Sequence, residues 1–223
     1  MLVLKNSVFF FCTVLLFHFS ANAQTPAAAD KKNQTEIKKI VILGDSLTEG
    51  LGVAQSSAFP ALVQKKVDEK KLNWKVISAG SSGSTSASGP SRIKWIVNPK
   101  NKERPDLILL LLGSNDGLRG LKPEDTKKNL KQTIEFAEKE KIKIILGQLY
   151  MPPNYGKEYT EKFAQIFPDI AKENKIPLVG FLLDGVAGQA ALNLADGIHP
   201  NEKGHIKVAE NIFRDIEKYL QQK

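Results

Sequence analysis

The chain has 223 residues, of which 42% are hydrophobic and 25% are charged, close to the composition of an ordinary globular protein. Its one cysteine is Cys12, so the rest of the chain holds no disulfide framework, no cysteine nucleophile and no cysteine-ligated metal centre. The formal net charge of +8 favours anionic partners, such as a phospholipid membrane surface or a charged cell-wall polymer.

Residues 1–23 have the pattern of a secretory signal peptide. Lys5 precedes an apolar run over residues 8–19, and residues 21–23 form an A-x-A cleavage site. Cleavage after Ala23 leaves the other 200 of the 223 residues, which suffice for one domain with a sizeable core. We therefore expect an exported protein, periplasmic or secreted, and export argues against a nucleic-acid partner.

After the signal peptide, a small, polar and flexible lead-in is expected over residues 24–36, and a single domain over 37–223. In that domain short apolar runs alternate with amphipathic helix patterns. The predicted strands are 40–43, 74–77, 107–112, 142–146 and 176–183. The predicted helices are 59–72, one opening at Pro123, one over 159–170 that Pro168 kinks or splits, and one along 209–220. This alternation predicts an α/β fold, a parallel sheet with helices on both faces.

Four polar clusters follow predicted strands or precede the last helix. They are GDSL at 44–47, GSSGST at 80–85, GSND at 113–116 and DGIHP at 196–200. Because ligands of such sheets bind beyond the carboxyl ends of the strands, we expect the four clusters to converge on one crevice. His199 belongs to the last cluster, whereas His205 is interpreted as an ordinary helix residue.

An acyl-transfer hypothesis assigns a role to each cluster. Ser46 becomes a nucleophile only when a base takes its proton, and His199 is the natural base. Asp196 would orient the imidazole and stabilise its protonated form. The backbone N–H groups of Ser46 and Gly83 and the side-chain amide of Asn115 would stabilise the tetrahedral oxyanion. Glycine suits position 83 because a side chain there could block the approach of the backbone to the substrate.

Each cluster alone is also typical of a turn, a helix cap or a flexible loop, and it is their combination that favours catalysis. The Gly-x-Ser-x-Gly, P-loop and dinucleotide-binding patterns do not occur. No set of cysteine and histidine ligands completes a transition-metal site, so we expect neither a cofactor nor a metal.

With these residues the sequence resembles the SGNH (GDSL) hydrolases, and within them the branch of exported arylesterases and multifunctional thioesterase/lysophospholipases. The matching segments are 44–53, 82–85, 113–121, 151–159, 181–188 and 195–204. The resemblance implies a three-layer, flavodoxin-like α/β/α sandwich with a five-stranded parallel sheet. It implies a triad of Ser46, Asp196 and His199, an oxyanion hole of Ser46, Gly83 and Asn115, and small acyl esters or lipids as substrates of a monomer.

The sequence departs from the family pattern at two positions. The second block usually reads Asn-Ala-x-x-Ser-Gly-Asp-Thr, and here Ser78 stands for the Asn and Ser84 for the Asp. Neither position belongs to the triad or the oxyanion hole, so activity should survive. The missing carboxylate could tie the loop by hydrogen bonds, so its loss leaves the rigidity of the loop open.

Three functions follow as hypotheses. The first is an exported serine esterase that hydrolyses arylester, acyl-thioester or lysophospholipid bonds through an acyl-enzyme. The second is a carbohydrate O-acetylesterase acting on a cell-wall polymer, and the third is a non-catalytic lipid- or glycan-binding module. The apolar residues 181–183 and 186–187 favour acyl-chain binding, and intact Ser46, Asn115, Asp196 and His199 argue against a non-catalytic module.

Overall fold

A five-stranded parallel sheet forms the centre of the computed structural model, which describes residues 36–222. Its strand order is β2-β1-β3-β4-β5. The strands are β1 Lys38–Gly44, β2 Trp74–Ala79, β3 Leu107–Leu111, β4 Lys143–Gln148 and β5 Leu178–Phe181. The helices are α1 Ser46–Glu49, α2 Phe59–Glu69, α3 Gly89–Ile96, α4 Ser114–Leu118, α5 Pro123–Lys139, α6 Lys157–Asn174 and α7 Glu202–Leu220.

The chain changes direction across the sheet once, between β1 and β3. It runs from β1 to β2 through α2, then crosses back over β1 to β3 through α3, and continues outward through α5 and α6. Because such crossovers are right-handed, α2 lies on one face of the sheet and α3, α5 and α6 lie on the other. Helix α7 packs against α2, whereas α5 packs against α3 and α6. These layers are the predicted α/β sandwich, and the reversal opens a crevice at the carboxyl ends of β1 and β3.

The two central strands are buried along nearly their whole length. Every residue of β3 is buried, and so are the last five residues of β1. This burial explains their continuous apolar sequences, since helices cover both faces of the sheet. Strand β5 is shorter than the predicted 176–183, because after Phe181 the chain forms turns whose backbone bonds are local, such as Asp184 N–H to Phe181 O at 3.0 Å.

Pro168 does not split the helix in which it lies, so of the two predicted alternatives, a kink or a split, the split is wrong. Helix α6 runs unbroken over Lys157–Asn174 with Pro168 inside it. A proline has no N–H to donate to the carbonyl four residues earlier, here that of Ala164. The buried side chain of Gln148 at the end of β4 takes this place, since its Nε2 donates to Ala164 O at 3.0 Å.

His205 is not the ordinary helix residue that the sequence predicts. It is 1% exposed, and its Nδ1 accepts the backbone N–H of Phe59 at 3.2 Å, so it caps the first turn of α2 across the structure. Burial, with a smaller contribution from His199, lowers the pKa of His205 to about 4. The imidazole is therefore neutral at pH 7, and its proton lies on Nε2.

None of the helices within residues 36–222 has both the length and the apolar character needed to cross a membrane. The predicted signal peptide over residues 1–23 lies outside the described residues, as does almost all of the lead-in over 24–36, and both stay predictions.

Candidate active site

Three of the four polar clusters line one cavity of about 570 Å³ at the carboxyl ends of the strands. Ser46 reaches it as the first residue of α1, directly after β1, and Asn115 reaches it from α4 after β3. His199 reaches it from the loop before α7. The remaining cluster, at 80–85, contains Gly83, and this glycine is not among the residues that line the cavity.

Ser46, His199 and Asp196 form a continuous hydrogen-bonded chain. The Oγ atom of Ser46 lies 2.9 Å from Nε2 of His199, and Nδ1 of His199 lies 2.7 Å from Oδ2 of Asp196. In this arrangement the Nδ1 proton is held by the carboxylate, which leaves Nε2 free to accept the proton of the hydroxyl. The chain can thus convert a weakly nucleophilic hydroxyl into an attacking group.

Asp196 also shapes the turn that carries the imidazole. Its Oδ1 accepts the backbone N–H groups of Ile198 at 2.9 Å and of His199 at 3.0 Å. These two bonds, together with the bond to the imidazole, lower the pKa of Asp196 to about 2. The carboxylate therefore stays ionised at neutral pH.

The loop of His199 is fixed on both sides. The backbone N–H of Leu194 donates to His199 O at 2.7 Å, and Asn193 forms an isolated antiparallel bridge with Pro200. Asn201 then caps α7 by accepting the N–H of Gly204 at 3.1 Å. The imidazole consequently sits on a short, hydrogen-bonded turn rather than on a free loop.

Ser46 owes its position to a one-turn helix with a cap at each end. Oδ1 of Asp45 accepts the N–H of Leu47 at 3.0 Å, and Gly50 ends the helix with a φ of +82° that favours glycine. Asp45 is 1% exposed, and this burial raises the pKa of its carboxyl group. The short helix presents Ser46 directly beyond the end of β1.

Asn115 is held next to the loop that carries Gly83 by a hydrogen bond to the following residue, Ser84. Nδ2 of Asn115 donates to Ser84 O at 3.0 Å, which leaves its second amide proton for other partners. Glycine occupies position 83 because φ there is +75°; a Cβ atom would meet only Nη2 of Arg119, at an ordinary 3.6 Å. The positive φ is thus a reason for this glycine in addition to the predicted one, the approach of the substrate, which stays a prediction.

The sequence analysis assigned no role to two charged residues near the site, the buried Asp116 and the half-buried Arg92. Asp116 was included only as part of a turn, but its carboxylate accepts the N–H of Ser86 at 2.7 Å and the hydroxyl of Thr126 at 3.2 Å. Arg92 donates to the carbonyls of Gly44, at 2.8 Å, and Ala79, and so joins the ends of β1 and β2. The GSND motif gave a signal for Asp116, whereas nothing in the sequence singled out Arg92.

Much of the lining of the cavity is apolar. Tyr150 and Phe181 meet edge to face there, with ring centroids 5.3 Å apart. The other apolar lining residues include Leu118, Leu149, Met151, Leu182 and Ile198. Among residues 36–222 no group of three or more His, Cys, Asp or Glu side chains could hold a metal ion.

A parallel α/β/α sandwich with a hydrogen-bonded Ser-His-Asp chain at its crevice defines a class of serine hydrolases. The model of the GDSL-like lipase/acylhydrolase family matches residues 42–206. The chain belongs to this family, and it is an SGNH-type hydrolase of ester bonds.

Several characterised relatives are similar over most of the chain. Esterase TesA of Pseudomonas aeruginosa is 34% identical over 84% of this chain and 92% of its own length. The arylesterase of Vibrio mimicus is 31% identical over 82% and 90%. Thioesterase 1/protease 1/lysophospholipase L1 of Escherichia coli K12 is 34% identical over 80% and 83%. A crystal structure of the psychrotrophic esterase EstA from Pseudoalteromonas sp., inhibited by monoethylphosphonate, matches with a TM-score of 0.78 and 30% identity, over 83% of this chain and 100% of that chain.

Proposed function

We propose that the protein hydrolyses carboxylic esters and thioesters through an acyl-enzyme formed on Ser46. His199 takes the hydroxyl proton as Oγ attacks the carbonyl carbon, and it then passes the proton to the leaving alcohol or thiol. The hydrogen bond of 2.9 Å between Ser46 Oγ and His199 Nε2 is the observation that carries this proposal. Water, activated by the same imidazole, then releases the acid and restores the serine.

Charge that develops on the carbonyl oxygen needs donors that are already in place. In the proposed mechanism these are the N–H of Ser46, the N–H of Gly83 and the free amide proton of Asn115. The bond of Asn115 to Ser84 O holds its amide beside the glycine loop. Three donors from three strand ends would then surround one oxygen atom.

The apolar lining of the cavity supports an acyl chain as the group that the site binds. Tyr150, Phe181 and their apolar neighbours offer hydrocarbon contacts beyond the serine, and the cavity of about 570 Å³ exceeds what an acetyl group needs. Relatives that carry the names arylesterase and lysophospholipase support this substrate class. No feature of the described residues favours a carbohydrate acetyl ester or a non-catalytic module.

Labelling with a serine-directed phosphonate tests the mechanism. One equivalent is expected to attach to Ser46 of the folded protein, as found by mass spectrometry of the peptide, and none to Ser46→Ala. Absence of labelling in folded wild-type protein contradicts the proposal. A series of nitrophenyl esters should show turnover beyond acetate; strict selection of acetate would favour an acetylesterase instead.

We further propose that the protein is exported, works as a monomer and contacts anionic membrane surfaces. The signal-peptide pattern of residues 1–23 supports export. The net charge of +8, of which Lys5 of this segment supplies +1, supports contact with anionic surfaces. N-terminal sequencing of the mature protein should begin at Gln24. Sedimentation with vesicles containing phosphatidylglycerol should exceed that with phosphatidylcholine alone and weaken as salt is added.

A further inference from the structure

The loop over residues 80–85 carries Gly83, and none of its six residues is charged. Its sequence of glycines, serines and threonine has little intrinsic preference for one conformation. An oxyanion donor must nevertheless be held in place before the reaction begins. The loop makes a backbone hydrogen bond of its own, from Ser84 N–H to Ser81 O at 3.2 Å, and further restraints on it come from side chains outside it.

Glu49 supplies a charged contact to the middle of this loop. Its Oε2 accepts the backbone N–H of Ser82 at 2.6 Å and also the hydroxyl of Ser82. Both bonds lower the pKa of Glu49, so the group that accepts them is a carboxylate at neutral pH. Charge-assisted bonds of this kind are roughly twice as strong as those between neutral groups.

The contact joins the loop to the element that carries the nucleophile. Glu49 is the last residue of α1 and Ser46 is the first, so one helical turn separates them. The loop runs close to this helix: a Cβ atom on Gly80 would lie 2.1 Å from the backbone nitrogen of Glu49. The hydroxyl of Ser78 also donates to Thr48 O at 3.0 Å.

The far end of the loop is held separately. Asn115 donates to Ser84 O at 3.0 Å, and Nη2 of Arg119 donates to Gly83 O at 3.0 Å. These bonds restrain the residues after the peptide group that contains the Gly83 N–H. The bonds of Glu49 restrain Ser82, on the other side of that peptide group.

We propose that Glu49 is a positioning residue, which holds Ser82 so that the N–H of Gly83 points at the oxyanion during acyl transfer. The proposal rests on the proposed function, since it concerns the same reaction. Glu49 itself touches neither substrate nor the reacting atoms in this role.

The experiment compares kcat, KM and the rate of phosphonylation among variants with unchanged Tm. Removing a whole oxyanion donor costs about 10²- to 10³-fold in kcat; Glu49→Ala only loosens one donor, so we expect a loss of about tenfold in kcat and in phosphonylation rate, with KM within twofold. Glu49→Gln keeps one acceptor oxygen and should recover part of the rate. Ser82→Ala should slow the wild type but add nothing to Glu49→Ala, because the two act through one contact.

Glu173→Gln is the matched control. Its carboxylate also accepts two hydrogen bonds, from Lys127 at 2.7 Å and Lys131 at 2.9 Å, but these join α5 to α6 away from the loop. Its kinetics should equal those of the wild type. Wild-type kcat in Glu49→Ala, or a loss confined to KM, overturns the inference while labelled Ser46 still supports the esterase; an unlabelled wild type overturns the esterase itself.

Discussion

The carboxylate of Asp196 performs two tasks that a single substitution can separate. Oδ1 holds the turn through two backbone N–H groups, and Oδ2 receives the imidazole of His199 at 2.7 Å. An asparagine can keep the first task, since its carbonyl oxygen still accepts hydrogen bonds. It cannot stabilise a protonated imidazole as a carboxylate does.

We therefore expect Asp196→Asn to fold normally and to lose about 10²- to 10⁴-fold in kcat. Steady-state kinetics on a nitrophenyl ester, with circular dichroism as the control for folding, provides the measurement. Because the pKa of Asp196 is about 2, the wild-type carboxylate should not titrate between pH 5 and 7. A kcat near that of the wild type would show that the imidazole needs no charged partner.

Ser46 and His199 should behave as one unit. Each single substitution to alanine removes the reacting pair, so Ser46→Ala, His199→Ala and the double variant are expected to retain the same residual rate. Kinetics of the three proteins on one substrate checks this. Additive losses would mean that the two side chains act in separate steps.

At the scale of elements, His205 couples the start of α2 to α7. Its pKa of about 4 lies below the value of about 6.5 for an unfolded histidine, so between these pH values the unfolded chain binds more protons. Stability from this group is therefore complete above pH 6.5 and is lost as the pH falls towards 4. We expect the free energy of unfolding to fall by about 2 kcal/mol from this group between pH 7 and pH 5.

His205→Asn offers the comparison, because asparagine can accept the N–H of Phe59 but does not titrate. Urea unfolding at pH 7 and pH 5 should show a smaller loss of stability in this variant than in the wild type. Equal losses in the two proteins would assign the pH dependence to other groups.

The elements also show how far a sequence can be interpreted. The strands β1, β3 and β4 could be predicted nearly to their ends, because burial on both faces leaves an apolar run in the sequence itself. The edge strand β2 is mostly only half-buried, and its prediction ended at residue 77, short of Ala79. Three contacts could not be predicted. They are the cap of α2 by His205, the bond of Gln148 to the carbonyl that Pro168 leaves without a donor, and the bond between Glu49 and Ser82. Each depends on residues at least 16 positions apart that only the folded chain brings together. The candidate site residues could be identified from motifs, but Asp116, which is buried, and Arg92, which is half-buried, could not be assigned a role.

At the scale of the whole molecule, the hydrophobic core and the candidate site lie in different regions of the fold. Leu109 lies in the middle of β3 with no exposed surface, whereas the site lies beyond the strand ends. Leu109→Ala is expected to lower the free energy of unfolding by about 2–5 kcal/mol, through lost burial and the cavity left behind. Urea unfolding measures this loss, and kcat of the folded protein at low temperature should stay within about twofold of the wild type. A large fall in kcat would show that the core transmits strain to the site.

The hydroxyl and the imidazole of the site are 153 positions apart along the chain. During synthesis the ribosome releases Ser46 long before it releases His199, and α7 follows both along the chain. Under the proposed mechanism, a polypeptide that is still being synthesised or translocated therefore cannot hydrolyse esters. By this mechanism, hydrolysis begins only when the fold brings the serine and the imidazole together.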